Sequence, residues 1–335
     1  MKQQQMEHLS KALQQGYLVL VRCFTYNQAT YIKDALNGFV MQQTTFPYIV
    51  AVVDDASTDG EQEVIHKYLE ENFDLRDDSV AYTEETDYAH IIYAKHKSNN
   101  NCYIVVLFLK ENHYSQKKAK SVYLKEWSDK VKYHALCEGD DYWVDSLKLQ
   151  KQADFMENHP SHSLCFHAHI VHDRLGTDSI IRMYNQNMDF CSVDNLILGD
   201  ADGIATNSMF FRKELTDKPQ WAKKLSFGDF SLELILAERG YVGYLDEIMS
   251  CYRLNSLESW TSRNKSIEKQ INNRKERIKM WKEYNKWSNY KYKKAVCRML
   301  FYDRCRLFSL RYLSYFNLNE SCLISFMRYI YYKLK

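Results

Sequence analysis

Three carboxylates fall within four positions of the stretch His134 to Trp143 ("HALCEGDDYW"): Glu138, Asp140 and Asp141, directly after an apolar run. Like charges this close repel, and burying them without a counter-charge is costly. A divalent cation relieves that repulsion, and Mg2+ or Mn2+ does so while keeping positions open for phosphate oxygens. A second acidic pair, Asp54 and Asp55, closes another apolar run ("YIVAVVDDAST"). An isolated Asp-Asp reads as a solvated turn, but two acidic strand ends in one sheet read as a metal and nucleotide site. Asp229 heads a helical pattern ("SFGDFSLELILAERG"), where a carboxylate also complements the helix dipole by roughly 0.3–1 kcal/mol. Cys165, His167 and His169 alternate onto one face of a strand pattern, as zinc ligands would, with His172 just beyond. No fourth ligand is spaced to match, which favours structural or acceptor-side histidines.

These residues need elements to position them. "YLVLVRCF" is a short apolar run of buried-strand type, followed by a polar turn and a helix with Ile32, Ala35, Leu36, Phe39 and Val40 on one face. "YIVAVVDD" is a second such strand, and "DGEQEVIHKYLEENF" a second helix with acids in its first turn. Strand, helix, strand, helix with continuously apolar strands predicts a parallel sheet covered on both faces. "VAYTEE" is a third strand, "NCYIVVLFL" is a strand or a buried helix, and "YHALC" is a strand running into the acids. Thr25-Tyr26-Asn27, Asp54-Asp55 and Glu138 to Asp141 all follow strand ends, where open α/β sheets bind ligands.

Further along, "SLKLQKQADFMENHP" is a helix and "SLCFHAHIVHD" a strand. "DGIATNSMFFRKEL" reads as a strand entering a helix, with Thr206, Asn207 and Ser208 either lining a cleft or serving as turn residues. "YVGYLDEIMSCYRL" returns as strand, and from about Ile267 the chain is helical with basic and aromatic residues interleaved.

Composition bounds the partners. The 335 residues carry a net charge of +2, but the 18 Lys and Arg against 5 Asp and Glu from Asn264 onward give +13, leaving −11 for the first 263. Nine cysteines without a C-x-x-C pair, and a polar N-terminus without signal-peptide character, predict reduced thiols in a cytoplasmic protein. No apolar run approaches the roughly 20 residues of a spanning helix, so the chain is expected to be soluble or peripheral. A G-x-x-x-x-G-K-[ST] loop and a G-x-G-x-x-G turn are both missing, which leaves a pyrophosphate to be neutralised mainly by the metal. The basic aromatic tail suits anionic lipid headgroups on the inner face of a membrane, with a packed helical subdomain as the bland alternative. Nucleic acid is the weaker partner, because no recognition motif accompanies the charge.

Four blocks, "RCFTYNQATYIKDALNGFVMQ", "VVDDASTDG", "CEGDDYWVDSLKLQKQ" and "FGDFSLELILAERGYVGYLDEIMSCYR", resemble in order the blocks of the family-2 glycosyltransferases. The resemblance runs from about Val19 to Arg253. It implies an inverting, nucleotide-diphospho-sugar-dependent enzyme of GT-A fold: an α/β, Rossmann-like, mostly parallel sheet with helices on both faces, here with a C-terminal helical extension. Residues 1–262 would form the catalytic domain, with a nucleotide-sugar half to about 145 and an acceptor half at 146–262; residues 263–335 would form the extension. By the same resemblance Thr25 and Asp140 contact the nucleotide, and Asp55 binds its base or ribose with Asp54 as a supporting neighbour. Asp140 and Asp141 are the candidates for the Mn2+ or Mg2+ ion, and which of them touches it stays open. Asp229 is the implied general base; Glu138 and Asn207 are secondary. Glu138 replaces the usual first Asp of the D-x-D motif, and Leu254-Asn255 stand where a histidine often follows.

The expected partners are a nucleotide-sugar donor, UDP-linked by preference, and a saccharide or lipid-linked acceptor. A sugar-phosphate nucleotidyltransferase would use a similar sheet and metal, but "CFTYNQAT" lacks the glycines that would hold a triphosphate. A catalytically inert adaptor on the same fold is the other alternative, and the intact acids argue against it.

Overall fold

The computed structural model describes residues 16–173, 176–183, 190–199, 204–223, 225, 228–254 and 266–316. Its centre is built by four strands whose sequences are apolar on both faces. β1 (Val19–Thr25) lies between β2 (Tyr48–Asp54) and β7 (Tyr133–Leu136), and β2 pairs on its far side with β6 (Cys102–Leu109), all parallel. Every residue of β2 and of β6 is buried, which is why neither shows an inside-outside alternation. The ambiguous run "NCYIVVLFL" is thus a strand.

Antiparallel strands extend this core on both sides. Beyond β6 come β5 (Ala89–His96), then β3 (Phe73–Asp74) and β4 (Tyr82–Glu85) on β5's outer side. The strand expected at "VAYTEE" is β4, at the sheet margin, while β5 is a further strand that the sequence pattern does not mark. Beyond β7 come β12 (Phe210–Arg212), β9 (His162–Asp173), β13 (Tyr241–Leu254) and β11 (Phe190–Cys191), with β8 (Tyr142–Trp143) on β13 and β10 (Asp178–Ile181) on β9. Among the described residues the result is one mixed sheet of 13 strands. Parallel pairing is confined to its centre and to β9–β13.

Helices cover both faces. α1 (Ile32–Val40), α2 (Glu61–Asn72) and α4 (Lys148–Asn158) bury Ile32, Leu36, Phe39, Ile65, Leu149 and Met156 against Val19, Val21 and Cys23. On the opposite face, the short α3 (Lys125–Ser128) puts Trp127, with Leu124 before it, over Leu20, Ile49 and Ala51. Next to that cluster, α5 (Val193–Leu198) and α6 (Gly228–Arg239) cover Leu136, Phe211 and Phe166. After β12 the chain makes a single 3-10 turn, Lys213–Leu215, and not the anticipated helix.

The last two helices, α7 (Ile267–Trp287) and α8 (Lys293–Phe316), pack on α6 through Trp281, Tyr284 and Val296. Asp303 of α8 is sealed from solvent, and its carboxylate is met by Arg274, Arg277 and the Trp281 indole of α7 at 2.6, 3.3 and 3.0 Å. The described aromatics of this part divide: Trp281, Tyr284 and Tyr292 are core, whereas Tyr290, Phe301 and Phe308 are exposed; residues 317–335 lie outside the described residues. Among the described residues, no helix is long and apolar enough to cross a membrane.

Candidate active site

β1, β2 and β7 are adjacent and parallel, so their carboxyl ends open onto one rim. Thr25 is in register with Asp54 at the ends of β1 and β2. The loops that follow contain two non-glycine residues in left-handed backbone, Asn27 (φ 54°) and Ala56 (φ 60°). Such conformations cost about 1–3 kcal/mol and persist where surrounding contacts fix them.

Glu61 supplies those contacts. Fully buried at the start of α2, it accepts from the Thr25 hydroxyl, the Gln28 amide (2.9 Å) and the Ser57 hydroxyl (2.8 Å). Asn27 and Ser57 add reciprocal bonds between the two loops. The sequence reading gave Glu61 only a place in a helix's first turn. Its wider role rests on partners 33 and 36 positions away, which no local pattern reveals.

The two aspartates after β2 differ. The Asp55 carboxylate is fully buried and accepts from the backbone amides of His113 (2.7 Å) and Tyr114 (3.1 Å) and from Lys120 Nζ (3.0 Å). It anchors the loop after β6 and is spoken for within the protein. The Asp54 carboxylate, also fully buried, accepts through Oδ2 from Ser57 and Gln62, while its Oδ1 has no partner. Burial raises the Asp54 pKa, partly offset by those bonds. A buried acceptor left unsatisfied costs about 1–3 kcal/mol, a cost carried here by Asp54 Oδ1.

The acidic turn crosses the end of β1. Cys137 and Gly139 donate their amides to Arg22 and Phe24 carbonyls, and Asp141 closes the turn on the Glu138 carbonyl at 3.1 Å. Gly139 is required here: a β-carbon on it would lie 2.8 Å from Thr25 Cβ. Asp140 and Asp141 are buried, whereas Glu138 is exposed. Burial, then the nearby charge of Asp140, pushes the Asp141 carboxyl well up, and the Arg253 amide at 2.8 Å draws it back down.

Arg253, at the end of β13, also donates to the Asp140 carbonyl (2.9 Å), pairs with Asp34 of α1 and lies 4.4 Å from the Tyr142 ring. It therefore clamps the turn between β13 and α1.

Among the described residues, no three His, Cys, Asp or Glu side chains are gathered to hold a metal. The donors at the turn are hard carboxylate oxygens, too few for an all-protein cage. They fit an ion that takes one or two carboxylates and completes its shell from substrate phosphates. The zinc arrangement fails: His167 bonds the Ala168 carbonyl through Nδ1, Cys165 packs on Gln152, and His172 pairs with Asp178. Asn255 lies outside the described residues.

Asp229 stands exposed at the start of α6, its Oδ1 accepting the Phe230 amide at 2.8 Å and its Oδ2 lying 3.5 Å from Thr206 Oγ1. Thr206 leads into Asn207, whose carbonyl accepts from Trp143 Nε1 (3.0 Å), two residues past Asp141. A short run of contacts thus joins Asp229 to the acidic turn. Asn207 itself does not line a cleft. Fully buried, its amide donates to the Cys251 carbonyl (2.9 Å) and accepts from Ser250 Oγ (2.9 Å), tying this segment to β13. A cavity of about 540 Å3 lies at the far end of α1, beside Gln42, Asn99 and Gln150, away from these acids. Gln42 and Asn99 are committed to backbone carbonyls there.

Residues 23–218 match the family model described as "Glycosyl transferase family 2". An uncharacterized protein of Mycobacterium tuberculosis is 31% identical over 239 residues, 71% of this chain and 59% of the relative. The chain thus aligns with little more than half the length of that curated relative. The putative teichuronic acid biosynthesis glycosyltransferase TuaG of Bacillus subtilis is 25% identical over 255 residues, 74% of this chain and 85% of that protein. Among solved structures, S. aureus TarS 1-349 in complex with UDP superposes with a TM-score of 0.48 at 14% identity, covering 90% of this chain and 92% of that one. The mannosyltransferase PcManGT from Pyrobaculum calidifontis in complex with GDP-Man and Mn2+ gives 0.48 at 12% identity, covering 83% and 72%.

Proposed function

The chain belongs to glycosyl transferase family 2, and from that premise we propose that it moves a sugar from a nucleotide-diphospho-sugar, UDP-linked by preference, to an acceptor hydroxyl with inversion. The observation that carries this reading is the meeting of three parallel strand ends, with Thr25, Asp54, Asp140 and Asp141 on one rim and Asp229 joined to it through Thr206 and Asn207. Asp55, with Asp54 beside it, is the nucleotide-side acid of the β2 pair, and Asp55 also fixes the loop after β6. Asp140 and Asp141 would hold Mn2+ or Mg2+, which when bound supplies positive charge against the departing diphosphate. Arg253 and Gly139 keep that turn against Thr25. Asp229, exposed at a helix start, takes the proton of the attacking hydroxyl as the bond to the anomeric carbon forms.

The relative assigned to teichuronic acid biosynthesis supports a polysaccharide or glycolipid acceptor. The excess of 18 Lys and Arg over 5 Asp and Glu from Asn264 onward supports peripheral contact of residues 263–335 with an anionic membrane surface on the cytoplasmic side. Residues 1–262 are the catalytic domain in this reading. A hydrolysis screen of UDP-, GDP- and dTDP-sugars with Mn2+ tests it, because slow donor hydrolysis needs no acceptor. Release of nucleoside diphosphate from one donor class, lost on chelation, is expected. No release from any donor, together with no metal-dependent nucleotide binding, would favour the inert adaptor.

A further inference from the structure

α8 has two sides of opposite character. At about 100° per residue, the exposed positions among its described side chains all fall within about 80° of Phe301. Val296, Met299, Asp303 and Leu310, all buried, point the other way. On the exposed stripe Phe301 is 46% and Phe308 67% accessible, and their seven-residue spacing sets them on one line two turns apart. Lys294, Arg298, Arg304 and Arg311 flank the two rings and are exposed as well. The one acid of α8, Asp303, is on the buried side, where Arg274 and Arg277 of α7 already meet it. Lys294, Arg298 and Arg304 make no ion pair among the described residues.

A partner for this stripe must take both kinds of group. The bases, with no acid among them, attract an anionic surface. The two rings between them gain only where water can be left behind. A bilayer bearing anionic headgroups above its acyl chains offers both at once, and helices lying in the plane of a membrane combine basic and aromatic residues for that reason. An acidic protein or a nucleic acid would answer the charges but offers the rings no acyl layer. The rest of the chain favours the same orientation, because the −11 of the first 263 residues is repelled by an anionic surface that draws in the helical pair. α8 is also packed onto the helix that carries Asp229. Asp303 accepts from the Trp281 indole at 3.0 Å, and that ring meets Phe230, the neighbour of Asp229, at 5.6 Å between centres.

We infer that the Phe301–Phe308 stripe of α8 is the face on which the protein lies on an anionic bilayer. Phe301 and Phe308 enter the boundary between headgroups and acyl chains, while Lys294, Arg298, Arg304 and Arg311 stay with the lipid phosphates, their long side chains reaching back to the headgroup level. The choice of a lipid partner rests on the proposed peripheral contact of residues 263–335; the face that makes the contact is read from α8 itself.

The test is flotation of the full chain with vesicles of phosphatidylcholine alone and of phosphatidylcholine mixed with phosphatidylglycerol, at low and high salt. Wild type is compared with two double variants of the stripe, Arg298→Glu with Arg304→Glu and Phe301→Ser with Phe308→Ser. Lys275→Glu with Lys279→Glu, exposed on α7, places the same charge change off the stripe. All these positions are exposed, and melting temperature checks that each variant folds. Wild type should bind the anionic vesicles, less at high salt, and hardly bind the neutral ones. Each stripe pair should weaken that binding roughly ten-fold or more, and the α7 pair by clearly less. Equal losses in the α7 pair and the charged stripe pair would reduce the effect to overall charge and overturn the inference. Binding that survives Phe301→Ser with Phe308→Ser unchanged would leave a plain basic patch, suited to an acidic macromolecule, and would also overturn it. If wild type binds anionic vesicles and both stripe pairs bind as well, the stripe fails while peripheral contact through another part of the chain stands. Wild type that ignores anionic vesicles removes both. Donor hydrolysis in solution should be the same in all variants, so the transferase reading is tested separately.

Discussion

Asp229 and Gly139 act in different ways, and substitution separates them. Asp229 is exposed and bonded only to its own helix start and, at 3.5 Å, to Thr206. Asp229→Asn should therefore fold and bind donor as wild type does, while transfer falls roughly 10²–10⁴-fold, the usual loss of a general base. Comparing single-turnover transfer with nucleotide affinity checks this; equal loss of both would assign Asp229 to binding. Gly139 has no room for a side chain, since the added carbon would meet Thr25 Cβ at 2.8 Å. Gly139→Ala should lower stability by about 1–3 kcal/mol and weaken metal-dependent nucleotide binding together. Chemical denaturation and titration of the same preparation would show it. At this scale the acids announced themselves by type and clustering. Glu61 and Arg253 did not, because each acts through partners far along the chain. The Asp54–Asp55 pair shows the remaining limit: the loop after β6 folds onto the Asp55 carboxylate, which nothing in two adjacent, chemically identical residues announces.

At the scale of elements, α4 is docked by an unusual group. Lys148, fully buried at its start, places Nζ 2.6 Å from Gln152 Oε1 and 4.1 Å from the Trp143 ring centre. Burial brings its pKa down to about 7 from the ordinary 10.5. Between those values the unfolded chain binds the proton and the folded chain releases it, so this group makes stability rise with pH. Lys148→Met removes the effect. Wild type should therefore gain on the variant as pH goes from 7 towards 10, measured as the difference in melting temperature at matched pH. A constant difference would mean that the indole and Gln152 keep the ammonium charged throughout.

The α7–α8 pair depends on Asp303 in a comparable way. Asp303→Ala leaves Arg274 and Arg277 without their acid, and a loss of about 3–5 kcal/mol in denaturant unfolding is expected. A loss below about 1 kcal/mol would show that helix packing alone holds the pair. The longer helices and the strands β1, β2 and β7 were legible from their apolar patterns, whereas β6, apolar throughout, read equally as a buried helix, and the short α3 and α5 carried no such signal. The antiparallel margins were less so: β4 and β5 are short or partly exposed, and the turn after β12 contains helix-forming residues that tertiary pairing overrides.

At the scale of the whole molecule, a central parallel sheet gathers residues from both halves of the sequence, and a basic helical pair packs on α6. The sequence's charge asymmetry, −11 followed by +13, was visible from composition, but its use was not. Of the described aromatics of the helical pair, Trp281, Tyr284 and Tyr292 are buried, while Tyr290, Phe301 and Phe308 face solvent. The central claim is that the acids at the ends of β2 and β7 work as one nucleotide and metal site. It is tested most directly by calorimetric titration of UDP, GDP and dTDP with and without Mn2+, in wild type, Asp140→Asn and Asp141→Asn. Binding of at least one nucleotide that requires Mn2+ in wild type and is lost in one or both variants is the predicted result. Nucleotide binding indifferent to Mn2+ and to both substitutions would contradict it.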